Sequence, residues 1–456
     1  MLSLMLKTAL VLAIVHTVHS ASPSWVSLNV SVPPFLQELD YNFNLVDVLV
    51  GTPPQLLSLP IDMQGDILTV YSNDCQFCGG TTFYDPSQSS TSTNVNRSLN
   101  GTSTINGTWM TDTVSLGGVV ETDSISLAMV EMLSTGYDGL RVTNGGFGFL
   151  ADTPRNTSVN RFIPALYQSG QLFNPVVGMR LDTLNPRLTV GALDPNDFEG
   201  EINWVPLEPN TVGDNLYNRF NLDGIVGRNG SFVPYGDNLI GGISSLLLSI
   251  AVPDNTTYIN NTGFSGPLYN DTLNLELDTG AIGVPCNDSD DTWGPGVHVP
   301  PAYLDFNVQI NGVKYMVDSQ EIVRNLTYNP APPGFCHIGL ITNAVQGKPD
   351  VWLGLPFLRS VYFAYRFPTG DCPGYYGFAF PKGANRTQEQ IAQKPTSTPA
   401  LASHCLNFVA PTSTPTVMRP VDDDGPKYTV YGNSDGLQVP LKGVEFLVKG
   451  IWNITS

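Results

Sequence analysis

Gly51-Thr52-Pro53-Pro54-Gln55 leads through an apolar run to Pro60-Ile61-Asp62-Met63-Gln64-Gly65, and Glu276-Leu277-Asp278-Thr279-Gly280 repeats that ending far down the chain. Each apolar run stops at an aspartate. Each is followed by a bulky apolar strand signal built on glycine, Gly145-Gly146-Phe147-Gly148-Phe149 after the first and Trp352-Leu353-Gly354 after the second. A repeat of this kind divides the chain into two similar halves, each presenting one Asp at a loop. The boundary is expected near residue 190, giving lobes over 21–190 and 191–384.

The rest of the sequence supports a mostly β body. Among 456 residues there are 44 glycines and 36 prolines, and short alternating or β-branched runs recur between turn clusters. Asn44-Leu45-Val46-Asp47-Val48-Leu49-Val50 and Asp112-Thr113-Val114-Ser115-Leu116 are the clearest strand signals. Helical period is predicted only briefly, over 161–168 and 242–250. From about Asn385 to Gly425 the composition turns to Pro, Ser and Thr, which reads as an extended linker inside a tail spanning 385–456. Strands are expected beyond it at 428–431 and 444–448.

Two carboxylates held close across a cleft cannot both ionise, so one keeps a proton while the other stays charged. The charged partner can deprotonate a water bound between them, and the neutral one can donate to the oxygen that becomes negative. That chemistry calls for no metal and no cofactor. Asp62 and Asp278 are the candidate pair.

The residues around them resemble the pepsin-like aspartic proteases. Gly51 to Gln55 before the Asp62 strand end, Cys75 and Cys78, Phe83-Tyr84-Asp85-Pro86-Ser87, Asn144 to Phe149, Gly191-Ala192-Leu193-Asp194 and Asn203-Trp204-Val205-Pro206 are similar to successive stretches of that family. Leu277-Asp278-Thr279-Gly280 resembles its second catalytic motif, and Ile310 to Tyr315 and Trp352 to Arg359 resemble late strands. The resemblance implies an all-β, bilobal pepsin-like fold with a cleft between two similar lobes. It also implies catalytic roles for Asp62 and Asp278, a supporting role for Thr279, Gly280 and Gly65, and a substrate-covering flap at Asn100-Gly101-Thr102.

The pattern departs from the family at the first motif. Asp62-Met63-Gln64-Gly65 stands where the family has Asp-Thr-Gly-Ser, so Met63 has no hydroxyl to bond the opposite loop and Gln64 brings a side chain beside the carboxylate. Gly65 and Ala281 lack the hydroxyls that contact the outer carboxylate oxygens in the family. Asn100 occupies the position of the flap tyrosine, and Thr69 that of its supporting tryptophan.

Residues 1–20, with Lys7 before an apolar stretch and small residues at the end, read as a signal peptide. Secretion and an extracellular location are therefore expected. In that setting the sequons at Asn29, Asn96, Asn100, Asn106, Asn156, Asn229, Asn255 and Asn325 are glycosylation sites, and six cysteines form disulfides. Cys75 with Cys78 is expected to close a small loop, whereas Cys286, Cys336, Cys372 and Cys405 allow three pairings. A formal charge of −19 argues against nucleic acid as a partner. No apolar run is long enough to span a bilayer, and a monomer acting on a peptide or protein is expected. Two functions stay open: an aspartic endopeptidase working at acidic pH, or a catalytically silent pepsin-like protein that binds peptide or protein in its cleft or on its surface.

Overall fold

The computed structural model describes residues 23–32, 43–80, 82–99, 105–118, 120–133, 145–149, 160–208, 218–226, 232–233, 239–253, 269–270, 282–285, 306–324, 335–342, 349–418 and 429–430. In the first half the strands are β1 (Val26–Asn29), β2 (Leu45–Val50), β3 (Gln55–Asp62), β4 (Leu68–Gln76), β5 (Gly79–Gly80), β6 (Thr93–Ser98), β7 (Ile105–Leu116), β8 (Val120–Leu133), β9 (Gly145–Gly148), β10 (Val176–Arg180) and β11 (Arg187–Val190). The second half continues with β12 (Phe198–Pro206), β13 (Arg219–Leu222), β14 (Gly224–Val226), β15 (Phe232–Val233), β16 (Leu239–Ile243), β17 (Ile250–Val252), β18 (Tyr269–Asn270), β19 (Ile282–Pro285), β20 (Phe306–Ile310) and β21 (Val313–Val317). It ends with β22 (Val323–Arg324), β23 (Phe335–Ile338), β24 (Leu340–Thr342), β25 (Val351–Leu353), β26 (Tyr362–Arg366), β27 (Tyr375–Pro381), β28 (Thr416–Met418) and β29 (Thr429–Val430). The chain is all-β in class, as its turn-rich, alternating sequence requires.

Why these runs become strands is visible in β2, where Leu45, Val46, Val48 and Val50 are buried while Asp47 and Leu49 keep partial exposure. It pairs antiparallel with β3 from Leu45↔Pro60 to Val50↔Gln55. A sheet in the order β2-β3-β9-β4-β8-β7-β6 makes the first half. Leu57, Leu59, Ile61, Val70, Leu127 and Phe147, each at most 1% exposed, form its core, and each such side chain contributes about 1.5–3 kcal/mol of transfer free energy.

A second sheet, in the order β12-β27-β26-β10-β11-β1-β28, joins the halves. Its seam is the antiparallel pair β10–β26, which registers Val176↔Arg366 through Arg180↔Tyr362. Behind it the second half buries an aromatic cluster in which Phe220 lies 5.7 Å from Tyr376 and 5.6 Å from Phe378 by ring centroid.

Two expectations are corrected. Residues 242–250 do not form a helix: β16 ends at Ile243, a turn follows, and β17 begins at Ile250. The apolar spacing there is real, but Gly242 packs against Trp352 where a Cβ would not fit, and β16 takes a place in the sheet beside β25. The Pro/Ser/Thr stretch is not an extended linker up to Met418. It carries short helices at Gln388–Ile391 and Ala402–Cys405, and a disulfide joins Cys405 to Cys372. Thr429–Val430 pairs with Gly79–Gly80; residues 444–448 lie outside the described residues.

Candidate functional site

The site begins with a strand crossing. β3 lies parallel to β9, with Ile61↔Phe147 and Asp62↔Gly148. β9 lies antiparallel to β4 through Leu68↔Phe147, and β4 is parallel to β8 through Leu68↔Leu127. This arrangement brings Asp62 to the tip of β3, at the mouth of a turn that returns into β4. Gly148 lets the turn close, because a Cβ there would strike the backbone of Ile67.

The second half repeats the crossing strand for strand. β16 lies parallel to β25 with Ile243↔Leu353, β25 lies antiparallel to β17 through Ile250↔Leu353, and β17 is parallel to β24 through Ile250↔Leu340. Gly354 plays the part of Gly148, since a Cβ on it would strike the carbonyls of Leu247 and Ser249. Ser244 stands as far before Ile250 as Asp62 stands before Leu68. The position related to Asp62 by the repeat is thus Ser244, followed by Ser245 where the first half has Met63.

The two tips touch. Ser245 Oγ donates to the Ile61 carbonyl at 2.5 Å and accepts the Met63 N–H at 2.9 Å. Ser244 Oγ donates to Gln64 Oε1 at 2.7 Å. One hydroxyl brace therefore crosses between the halves from Ser245, while Met63, 1% exposed, turns its thioether into the apolar core. No sequence motif marks the serine pair; its only signal is an apolar strand, Leu239-Ile240-Gly241-Gly242-Ile243, that repeats the approach to Asp62.

Around Asp62 the environment is asymmetric. Burial pushes its carboxyl above the ordinary carboxylate range; the N–H groups of Gln64 and Gly65 pull the other way, and the charge of Asp66 adds to the rise. The Gln64 N–H lies 2.8 Å from Oδ1. Gly65 leaves room for the carboxyl where it stands, because a Cβ would fall inside contact distance of Oδ2. Asp66 is drawn to Arg161 at 3.2 Å. Among the described residues, Gln64 Nε2 is buried without a hydrogen-bond acceptor.

When it carries its proton, a carboxyl of this kind can donate to a peptide carbonyl. To activate water it needs a second group that is ionised at the same pH, and a serine hydroxyl does not supply one. Both edges of β25 are filled, by β16 and β17. Asp278, Thr279 and Gly280 lie outside the described residues, as do Asn100, Gly101 and Thr102 of the expected flap.

Of the other expected sites, Cys75 and Cys78 form a disulfide, and Cys372–Cys405 selects one of the three open pairings. Asn96 and Asn106 are exposed, Asn96 in the left-handed region at φ 55, and Asn29 is half-buried in β1. Asn156, Asn229, Asn255 and Asn325 lie outside the described residues. On the paired strands β6 and β7, the Arg97 guanidinium lies 4.5 Å from the Trp109 ring centroid. Cys372, Cys405 and His404 converge, but the sulfurs are joined to each other and offer no thiolate to a metal. No described helix is long and apolar enough to cross a membrane.

The family model described as Eukaryotic aspartyl protease matches residues 44–246, a span that runs from the strand before Asp62 through Ser244 and Ser245. No curated protein matches the sequence. The matched span, with its mostly strand structure and its crossing at Asp62, supports a place for the chain in the pepsin-like aspartic protease family.

Proposed function

We propose that this protein is a secreted, catalytically silent pepsin-like protein that holds an extended polypeptide in its cleft without cleaving it. The observation that carries the reading is Ser244 at the position related to Asp62, with its hydroxyl committed to Gln64. A dyad needs two carboxyls that share one proton. Here one tip offers a desolvated carboxyl and the other a hydroxyl, which favours hydrogen bonding to a bound peptide over attack on it. Both edges of β25 are taken by β16 and β17, so the strand that leads to Ser244 occupies the place related to β3. Secretion is supported by the signal-like residues 1–20 and by the disulfides, and exposed Asn96 and Asn106 suit glycan attachment.

An acid endopeptidase is the second reading, favoured by the intact Asp278-Thr279-Gly280 sequence. The two are separated by incubating the full chain with denatured globin from about pH 2.5 to 6, the range of a shared-proton dyad, while a fluorescent statine peptide is titrated into a parallel sample. Binding without turnover is expected. Turnover that vanishes in Asp278→Asn overturns the silent reading, and absence of both binding and turnover overturns the cleft as the binding surface.

A further inference from the structure

After β27 the chain does not leave the body. Thr396 and Ser397 settle on Asn311, whose Oδ1 accepts the Thr396 hydroxyl at 2.9 Å and the Ser397 hydroxyl at 2.8 Å. The Tyr375 hydroxyl donates to the Ala400 carbonyl at 3.1 Å. Cys405 is then bonded to Cys372, and its carbonyl accepts from Arg366 Nε at 3.0 Å. Arg366 belongs to β26, the second-half side of the seam, and is 4% exposed.

From there the chain crosses the seam one contact at a time. Val409 meets Asn174, just before β10, in both directions: its N–H donates to Oδ1 at 2.7 Å and its carbonyl accepts from Nδ2 at 2.9 Å. The Ser413 carbonyl accepts from Trp25 Nε1 at 2.9 Å, and Thr416–Met418 lies parallel to Val26–Leu28 as the outermost strand of the sheet. Anchors on β26, on the approach to β10 and on β1 thus follow in the order in which the sheet runs from second half to first.

We propose that residues 396–418 are a belt across the seam, latched by Cys372–Cys405, that restrains rotation of one half against the other. Each anchor alone is no more than one or two hydrogen bonds or a short strand pairing. Once the disulfide fixes one end, the remaining contacts form within one molecule and reinforce one another. A restraint on the seam must reach the tips of β3 and β16, because Met63 N–H and Ser245 Oγ bridge the halves there.

The test is hydrogen exchange on the intact chain and on Asn174→Ala, which keeps the disulfide, with Cys372→Ser/Cys405→Ser as a second variant. In Asn174→Ala the Val409 amide should exchange about tenfold faster and the Met63 amide several-fold faster, whereas Val48 and Leu57, paired inside the first half, should change less than about twofold. The latch variant should release both reporters further. Release of Val409 with Met63 unchanged in either variant overturns the belt, and so does a Val409 amide that Asn174→Ala does not affect.

Discussion

Replacing Ser245 by alanine isolates the contact that joins the two tips. Its hydroxyl serves two backbone groups at once, donating to the Ile61 carbonyl at 2.5 Å and accepting the Met63 N–H at 2.9 Å, and Ser245 is 2% exposed. Alanine leaves both groups without that partner in a place that water reaches poorly. At about 1–3 kcal/mol for each of the two buried groups left unpaired, the loss comes to roughly 2–6 kcal/mol. A net hydrogen-bond value of about 1 kcal/mol for each bond would set the floor near 2 kcal/mol. Urea unfolding of the full chain, followed by tryptophan fluorescence, reads the difference, and Ser245→Thr serves as the control that keeps the hydroxyl. A loss below about 1 kcal/mol in Ser245→Ala, or an equal loss in Ser245→Thr, would refute the bridge as a source of stability.

Three further outcomes follow from the same geometry. Gly65→Ala should displace the Asp62 carboxyl from the Gln64 N–H, since a Cβ there falls inside contact distance of Oδ2; a crystal structure of the variant with Asp62 unmoved would contradict this. Asp62 holds its proton more tightly folded than unfolded, where its pKa is 3.8. Its contribution to stability is therefore greatest at low pH and declines as pH rises from about 4 through the folded value, by about 1.4 kcal/mol for each pH unit that separates the folded and unfolded values. Asp62→Asn should accordingly be more stable than wild type at pH 7 and gain nothing at pH 3, as measured by denaturant unfolding at both. Phe220→Ala, at a fully buried ring between Tyr376 and Phe378, should cost about 3–5 kcal/mol and lower the melting temperature; a loss under 1 kcal/mol would mean that the aromatic cluster collapses around the gap.

Asp62 and its strand were legible in sequence because an alternating run, a turn and a carboxylate coincide, and each leaves a mark. The Cys75–Cys78 loop was legible for the same kind of reason. Ser244 was not, because a serine pair after an apolar run carries no signature of its own; it acquires meaning only when β16 is seen parallel to β25, in the same crossing that holds Asp62. Around it, Ile243, Leu246, Leu247 and Ile250 recur at helical spacing, and only sheet pairing and close packing at Gly242 decide against the helix. The tail hid for a different reason. Its contacts use backbone carbonyls, an asparagine on each half and one disulfide, none of which changes the Pro, Ser and Thr composition that reads as a linker.

Whether Asp62 stands without a carboxylate mate is open to direct measurement. The carboxyl carbon of Asp62 can be followed by NMR across pH in wild type, in Asp278→Asn and in Ser244→Asp. The silent reading predicts one titration with a raised midpoint that Asp278→Asn leaves in place, and a curve that Ser244→Asp splits into the two steps of a coupled pair. An Asp62 midpoint that moves by about one pH unit or more on replacing Asp278 would contradict the account, because two carboxyls that change each other's affinity for protons by that much must face one another.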